Sequence, residues 1–285
     1  GNNGINVRID SLKVPRLNAL GYDYSGIEAV GTFTGSDFDG RIICNDPNLR
    51  FLFQGLFNLS PRTRNASYEF FANLGYADLN ALHLDPRSPS KVSLMTEASF
   101  VRTENKDLLG EVNIRNLRFE SATGSHDIGN ITVNSTVVEN GRKYDFSHKA
   151  KFSSRFANGS FAGSKSILAM VSDLKTLLLS RELPALLEDP DPTWEKARYN
   201  LDFKFSNATE ILSFIAPGVY IDDGTAIRMR VDTSGIVNGS VSSGRLAIKD
   251  KYMKDLFLSM DNRGGSINAS ARASSQWSFG TERLW

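Results

Sequence analysis

The chain has 285 residues, a charged fraction of 23% and a formal net charge of +1. This near-neutral balance gives no overall electrostatic attraction to nucleic acid, so a nucleic-acid partner is not expected. The single cysteine, Cys44, excludes an intrachain disulfide scaffold and is compatible with the cytoplasm or a bacterial periplasm. Because two isoleucines precede Cys44, we expect a buried, unreactive thiol.

Alternation of apolar and polar residues recurs along the chain and predicts β-strands, because strand side chains point to opposite faces with period two. The first half has such runs at residues 5–9, 30–33, 41–44, 49–59, 68–74, 94–100, 112–119, 131–133 and 144–152. Residues 37–40 are predicted as a turn, and Asn140-Gly141 as a hairpin turn. The second half has runs at residues 199–205, 227–231, 246–248, 256–260 and 267–271, with a turn at 263–265. The chain is therefore predicted to be mainly β, with a long, largely antiparallel sheet.

The clearest runs place all their apolar residues on one face of the strand. Within residues 199–205, for example, aromatic residues and leucine alternate with Asn200, Asp202 and Lys204. A sheet of such strands with little helical cover leaves an apolar face exposed, and a large exposed apolar face usually marks a binding surface. The candidate residues for this face are Leu49, Phe51, Phe53, Phe57, Leu59, Tyr199, Leu201, Phe203, Phe205, Ile227, Met229, Val231, Leu256, Leu258 and Met260.

Two regions have helical periodicity, residues 164–187 and residues 208–215. Residues 164–179 form the longer predicted helix, and a shorter helical piece is predicted at 183–187. Residues 208–215 form a short helix, with Asn207 or Thr209 as its cap and Pro217-Gly218 at its end. We expect the longer helix to cover the apolar sheet face, since its own apolar stripe needs a partner. That stripe comprises Ile167, Met170, Val171, Leu174, Leu177 and Leu178.

These elements predict a division into a first β segment (1–160), a helical insertion (161–192) and a second β segment (193–285) that continues the same sheet. The longest apolar helical stretch, residues 167–179, is too short to cross a bilayer. Because the chain begins without methionine, we expect a fragment of a longer protein, with any membrane anchor outside it.

The sequence contains no recognisable catalytic spacing. His83, His126 and His148 lie far apart and lack metal-ligand spacing, so a structural or surface role is favoured for each. No phosphate-binding loop, dinucleotide fingerprint or nucleophile elbow is present. We therefore predict no enzyme activity, no metal and no cofactor. A hydrolase with paired carboxylates stays open as an alternative, because fold and not spacing places such pairs.

Four blocks of the sequence carry a resemblance to a known family. They are residues 46–59 (DPNLRFLFQGLFNL), 74–84 (LGYADLNALHL), 203–218 (FKFSNATEILSFIAPG) and 222–226 (DDGTA). Together they resemble the TamB family of translocation and assembly module proteins (AsmA-like), in the form found in Bacteroidetes. The similarity extends over about residues 5–273 as a pattern of scaffold blocks, and none of the blocks marks a catalytic site.

The resemblance implies a periplasmic module of an inner-membrane-anchored protein that serves outer-membrane biogenesis. It implies a long curved sheet that forms an open, taco-like trough with an apolar interior. The implied cargo is phospholipid acyl chains or nascent outer-membrane β-strands, in protein secretion or lipid transport. The implied partner is an outer-membrane barrel protein of the Omp85 type, and membrane contact would occur only through parts outside this fragment.

A second class of function stays open beside this one, namely a β-rich surface adhesin or glycan-binding module. It would require exposed aromatic residues that cluster as a sugar platform. Trp194, Trp277 and Trp285 are the candidates, but they are dispersed in the sequence, which favours core or fringe positions.

Overall fold

The computed structural model describes residues 6–60, 65–103, 107–138, 145–179, 194–249 and 251–274. Over these residues the chain is mainly β, with 16 strands in one open antiparallel sheet and two helices. The prediction of a mainly β, antiparallel, open sheet with one longer and one short helix is therefore confirmed. The hairpin turn predicted at Asn140-Gly141 and the helical piece at 183–187 lie outside the described residues.

The strands follow one another closely in sequence. The first eight are β1 (Asn6–Ala19), β2 (Tyr22–Thr34), β3 (Asp37–Asp46), β4 (Leu49–Asn58), β5 (Ala66–Asp78), β6 (Lys91–Arg102), β7 (Leu108–Ser121) and β8 (Gly124–Val137). The next eight are β9 (His148–Ser154), β10 (Ala157–Gly163), β11 (Tyr199–Phe205), β12 (Val219–Ile221), β13 (Ala226–Val231), β14 (Val237–Ile248), β15 (Lys251–Asp261) and β16 (Asn268–Ser274). The helices are α1 (Ile167–Leu179) and α2 (Thr209–Ile215).

Sheet order equals sequence order, except that β12 pairs with β14 beside β13. Each paired strand is antiparallel to its neighbour, so short hairpin turns suffice as connections. The chain divides into two compact units, Gly1–Asn134 and Ser135–Trp285. The predicted boundaries at 160 and 192 stay predictions.

The predicted turn at residues 37–40 is wrong, because β3 begins at Asp37. The turn between β2 and β3 consists of Gly35 and Ser36, and Thr34 is paired directly with Asp37. Gly35 has a φ of +62°, which glycine adopts without the steric cost that other residues pay. Asp37 to Gly40 then continue as ladder residues opposite β2.

In the first unit the register aligns apolar residues across successive strands. In one row Ile42 faces Phe53, which faces Ala72 of β5. In the neighbouring row Cys44 faces Phe51. Because alternate residues share a face, these rows belong to one side of the sheet. We call this side the apolar face of the first unit.

A row of three glycines crosses this apolar face. Gly31 faces Gly40, and Gly40 faces Gly55. The ring of Phe38 lies over this row, since a Cβ added at Gly31 would be 2.9 Å from the Phe38 ring and one added at Gly40 would be 2.7 Å from it. An aromatic ring laid over glycine fills the space that the missing side chains leave.

In the second unit α1 packs on the sheet. Its Met170 is buried against Phe161 and Tyr199, and Leu174, Leu177 and Leu178 pack on the same cluster. The expectation that this helix covers the apolar face of the sheet is thus met in this unit. Two details of the prediction are wrong: Ile167 and Val171 are exposed, although they belonged to the predicted stripe.

The observed start of α1 also differs from the predicted start at 164. The Ser166 hydroxyl accepts a hydrogen bond from the backbone N–H of Ala169, as an N-terminal cap does. Ser164 is held outside the helix, because its N–H donates to the Arg198 carbonyl and its hydroxyl accepts the Arg198 N–H.

The start of α2 corrects a second capping prediction. Ala208 occupies the cap position and makes no side-chain cap hydrogen bond, so neither Asn207 nor Thr209 caps the helix. The backbone N–H of Asn207 instead donates to Asp223 at 2.6 Å. The helix ends at Ile215, and Gly218 with a φ of +85° follows, as the Pro-Gly signal predicts.

The glycine row gives a direct test of the register in the first unit. A Cβ at Gly40 would meet the Val30 carbonyl and would lie 2.7 Å from the Gly31 Cα, whereas a Cβ at Gly75 would lie 3.8 Å from its nearest atom. We expect Gly40→Ala to lower the free energy of unfolding by about 2 kcal/mol or more, because backbone atoms must shift. Gly75→Ala is the matched control and should change it by less than about 1 kcal/mol. Urea denaturation measures both, and equal costs would contradict the register.

Candidate functional site

The apolar face of the second unit consists of side chains in regular rows across β9–β16. One row runs from Phe161 through Leu201, Met229 and Gly239 to Met260. The pairing in each step is direct, so these residues lie side by side on one face.

The next row of this face has the same character. Phe203 faces Ile227, Ile227 faces Val241, and Val241 faces Leu258. Phe152 lies at the other end of the row, with its ring 5.3 Å from that of Phe203. Six strands thus contribute to one continuous apolar surface.

The opposite face of the same strands is polar. Asp202 faces Arg228, and Arg228 Nε lies 3.2 Å from the Asp202 carboxylate. Asn200 faces Arg230, which faces Asn238. The strand alternation that the sequence predicts therefore separates two chemically different sides of this sheet.

At one end of this apolar face α1 provides a cover. Tyr199, Val231 and Val237 form the covered row, and their exposed fractions are 0%, 3% and 0%. They pack with Met170 of α1. These three are thus core residues, and they are closed to a ligand while the helix stays in place.

A buried polar group fastens α1 to the sheet. The Tyr199 hydroxyl donates a hydrogen bond of 2.5 Å to the Asp173 carboxylate, and Lys165 Nζ lies 3.4 Å from the same oxygen. Burial and this hydrogen bond raise the pKa of Tyr199 above its ordinary value. The tyrosine therefore stays neutral and continues to donate at ordinary pH.

Beyond the helix the apolar face is open. A groove of about 450 Å³ lies over β13–β16, within the size range of small-molecule sites. Small residues create its depth, because Gly239, Ala269 and Ala271 stand among larger apolar neighbours. We call this feature the apolar groove, and its larger apolar side chains are Ile227, Met229, Val241, Leu258 and Met260.

The apolar face of the first unit is filled by aromatic rings that pack on one another. The rings of Phe53 and Phe70 have centroids 5.3 Å apart, and those of Tyr68 and Phe100 stack at 4.7 Å. Phe57 joins them, with its ring 5.1 Å from that of Tyr68. Such pairs stabilise the sheet through edge-to-face and offset-stacked contacts. These rings therefore contact mainly one another.

The predicted face residues can now be placed. Of the predicted residues in β4, Leu49, Phe51, Phe53 and Phe57 lie on the apolar face. Leu59 does not belong to this face as a strand residue, because β4 ends at Asn58 and Leu59 is 58% exposed. All the predicted residues of the second unit share one face, but they differ in access. Tyr199, Val231 and Leu256 are buried, while Leu201, Phe203, Phe205, Ile227, Met229, Leu258 and Met260 are at least partly accessible.

Sequence reasoning missed the small residues that make the groove. Gly239, Ala269 and Ala271 were not predicted as site residues, although the alternating run at 267–271 contained the two alanines. Only the pairing of the strands shows that these small residues lie between large apolar ones, because the depth of a groove depends on neighbours from other strands.

Cys44, His83 and His126 occupy places consistent with structural roles. Cys44 is buried, and burial raises the pKa of its thiol, which disfavours the thiolate. The ring of His126 stacks on that of Phe119 at 4.5 Å. His83 Nδ1 lies 3.1 Å from the Gly21 carbonyl oxygen. Within the described ranges, no three His, Cys, Asp or Glu side chains converge as a metal site would require.

Trp194 is half-buried and packs against α1 and the turn before β14. A Cβ added at Gly235 would lie 3.1 Å from the Trp194 ring and 3.0 Å from Leu177 of α1. Trp277 and Trp285 lie outside the described residues. Trp194 thus belongs to the packing around α1.

Comparison with protein-family models, with curated proteins and with solved structures finds no match to this chain. In the part of the chain that the structure describes, neither helix has the length and apolar character needed to span a bilayer.

Removal of the Tyr199 hydroxyl tests how α1 is held. Tyr199→Phe keeps the ring and loses the bond to Asp173, so we expect the free energy of unfolding at neutral pH to fall by about 1–2 kcal/mol. Because folding raises the pKa of Tyr199, its contribution is complete below the ordinary tyrosine pKa of about 10 and is lost as pH rises above that value. The wild type should therefore lose more stability than the variant between neutral and alkaline pH.

Urea denaturation at several pH values checks this expectation. Tyr76→Phe is the control, because the Tyr76 hydroxyl makes no hydrogen bond to any described residue. A wild type and a Tyr199→Phe variant with parallel stability profiles through alkaline pH would contradict the role of the Tyr199–Asp173 bond.

Proposed function

We propose that this chain is a carrier module that binds phospholipid acyl chains on the apolar face of its sheet. The observation that carries the proposal is the open apolar groove over β13–β16, which lies on a face continuous with Phe203 and Leu201. Each CH₂ group that leaves water for such a surface contributes roughly 0.8 kcal/mol, so an acyl chain needs no charged or catalytic group for binding.

The wider setting of this function is also part of the proposal. The sequence resemblance to the TamB family supports a periplasmic location, within an inner-membrane-anchored protein for outer-membrane biogenesis. It supports an outer-membrane barrel protein as partner. The module would act by binding and guidance and not as an enzyme.

A nascent outer-membrane β-strand is the second candidate cargo, and one observation favours it. The strand β16 lies at the edge of the described sheet, and all seven of its residues are exposed. It contains no proline, whereas β1 at the other edge contains Pro15 and four charged residues, the features that protect edges from pairing. An added strand would pair with such an unprotected edge.

Filling the apolar groove tests lipid binding. Gly239 has an unstrained backbone, and a Cβ added there would lie 3.6 Å from Met260, so a larger side chain fits without a backbone clash. We expect Gly239→Leu to lower the phospholipid bound per chain at least about fivefold, because the leucine occupies the space of the acyl chain. The chain is incubated with phosphatidylglycerol and phosphatidylethanolamine vesicles, repurified, and its lipid is measured by mass spectrometry.

Asn238→Leu is the matched control, since Asn238 is the neighbouring residue on the polar face of the same strand. It adds a leucine of equal size outside the groove and should leave the bound lipid unchanged. Lipid at wild-type amounts on Gly239→Leu would show that the groove is not the lipid site.

The strand-cargo alternative has a separate readout. A synthetic outer-membrane strand peptide should slow hydrogen exchange of the β16 backbone amides if it pairs with that edge. Unchanged exchange in β16 at saturating peptide would remove this candidate.

A further inference from the structure

The apolar rows of the second unit end in a row of two cationic residues. Arg245 of β14 faces Lys254 of β15, one step beyond the row in which Ser243 faces Leu256. Alternate residues of a strand share a face, so Arg245 and Lys254 continue the parity of the groove residues on these two strands. A positive row at the end of an apolar surface matches the polarity of a phospholipid.

Aromatic rings hold these two cations in place. The Arg245 guanidinium carbon lies 5.0 Å from the centroid of Tyr252 and 5.7 Å from that of Tyr220. Lys254 Nζ lies 5.7 Å from the Tyr252 centroid. The face of an aromatic ring attracts a cation electrostatically. The cation therefore keeps N–H donors available for hydrogen bonds to an anion.

Among the described residues no carboxylate forms an ion pair with this row, although the carboxylates of Asp222 and Asp255 lie in the same corner of the sheet. Neither Arg245 nor Lys254 forms an ion pair there, and Arg245 Nε is buried without a hydrogen-bond acceptor. The carboxylates of this corner have other partners: Asp222 accepts from the Tyr220 hydroxyl at 2.8 Å, and Asp255 accepts from the Ser274 hydroxyl.

The separation between this row and the groove suits a lipid. Val241 and Arg245 are four residues apart, which is about 13 Å along a strand, and Gly239 and Arg245 are about 20 Å apart. One leaflet of a bilayer is about 15 Å thick, so an acyl chain spans this separation.

The row between groove and cations presents no free polar side chain. The Thr225 and Ser243 hydroxyl oxygens lie 2.7 Å apart, and each also lies within hydrogen-bond distance of a backbone carbonyl, that of Asp222 at 2.6 Å and that of Arg245 at 2.8 Å. Ser243 and Leu256 are themselves buried, so a lipid that joins the groove to Arg245 and Lys254 would have to pass over this row.

We propose that Arg245 and Lys254 bind the phosphate of an anionic phospholipid whose acyl chain lies in the apolar groove. This inference rests on the proposed lipid-binding function and adds to it a headgroup site and a preference for lipids that carry phosphate. Guanidinium and ammonium groups form charge-assisted hydrogen bonds to phosphate oxygens, which are stronger than neutral ones. The tyrosines act as positioning residues for the two cations.

The test compares two lipids that share one acyl chain and differ in the phosphate. Palmitoyl lysophosphatidylglycerol and monopalmitoylglycerol are titrated below their aggregation limits into the delipidated full chain, by isothermal titration calorimetry. The double variant Arg245→Gln/Lys254→Gln should weaken binding of the phosphate-containing lipid roughly tenfold or more and leave monopalmitoylglycerol within about twofold. Arg230→Gln, on the polar face, is the matched control and should affect neither lipid.

The outcomes separate this inference from the proposed function. If the double variant weakens both lipids equally, or neither, the headgroup site is wrong. If inorganic phosphate alone binds as tightly as the lipid and the double variant abolishes it, the site binds a free anion and the proposal is wrong. If Gly239→Leu leaves both lipids unchanged, the groove itself, and hence the proposed function, fails.

An unfolded variant would also lose lipid binding. Circular dichroism and the melting temperature are therefore measured for each variant to show that it is folded. Glutamine keeps most of the aliphatic stem of each residue. The conservative exchange Arg245→Lys should retain most of the preference for the phosphate-containing lipid, and loss of that preference would indicate that packing, not charge, is responsible.

Discussion

The pleat of the antiparallel sheet is the constraint on which the rest of this structure depends. Because side chains alternate between faces, a strand with period-two sequence has one apolar side, and direct pairing extends that side from strand to strand. Tyr199, Val231 and Val237 form one such row, and Leu201, Met229 and Gly239 form the next. A register shift by one residue would bring Arg228 and Arg230 to the apolar side, so the apolar face and the register determine one another.

The two units use this constraint differently. In the first, phenylalanine and tyrosine rings cross β2–β6 and fill the face with mutual contacts, and Phe38 covers the glycine row. In the second, α1 covers one end, while glycine and alanine on β14 and β16 leave room between aliphatic and methionine side chains. Methionine adapts its shape to different ligands, which suits a surface that binds flexible chains.

Much of this architecture was predictable because it follows from local patterns. Residues 199–205 and 227–231 alternate so regularly that their strands and the apolar face of each follow from period two. The end of α2 follows from Pro217-Gly218 in the same way. Features that depend on contacts between distant residues were not predictable. The start of α1 depends on Ser164 bonding to Arg198, and the turn before β3 depends on whether Asp37 pairs with Thr34.

The groove illustrates the same limit at the candidate site. The large residues Ile227, Met229 and Leu258 were identifiable from their runs, but its depth comes from Gly239 and Ala271, which only the register brings beside them. The cationic row was also hidden, since Arg245 and Lys254 become neighbours only through the pairing of β14 with β15.

The central claim is that one face of this sheet, and not merely its exposed apolar residues, contacts lipid. Leu258 and Phe257 test it most directly, because these adjacent residues lie on opposite faces and are 36% and 44% exposed. A photo-crosslinking amino acid is placed at either position, and the chain is irradiated with radiolabelled phospholipid. Strong crosslinking from position 258 with little from 257 is the predicted result, and equal or reversed labelling would contradict the account.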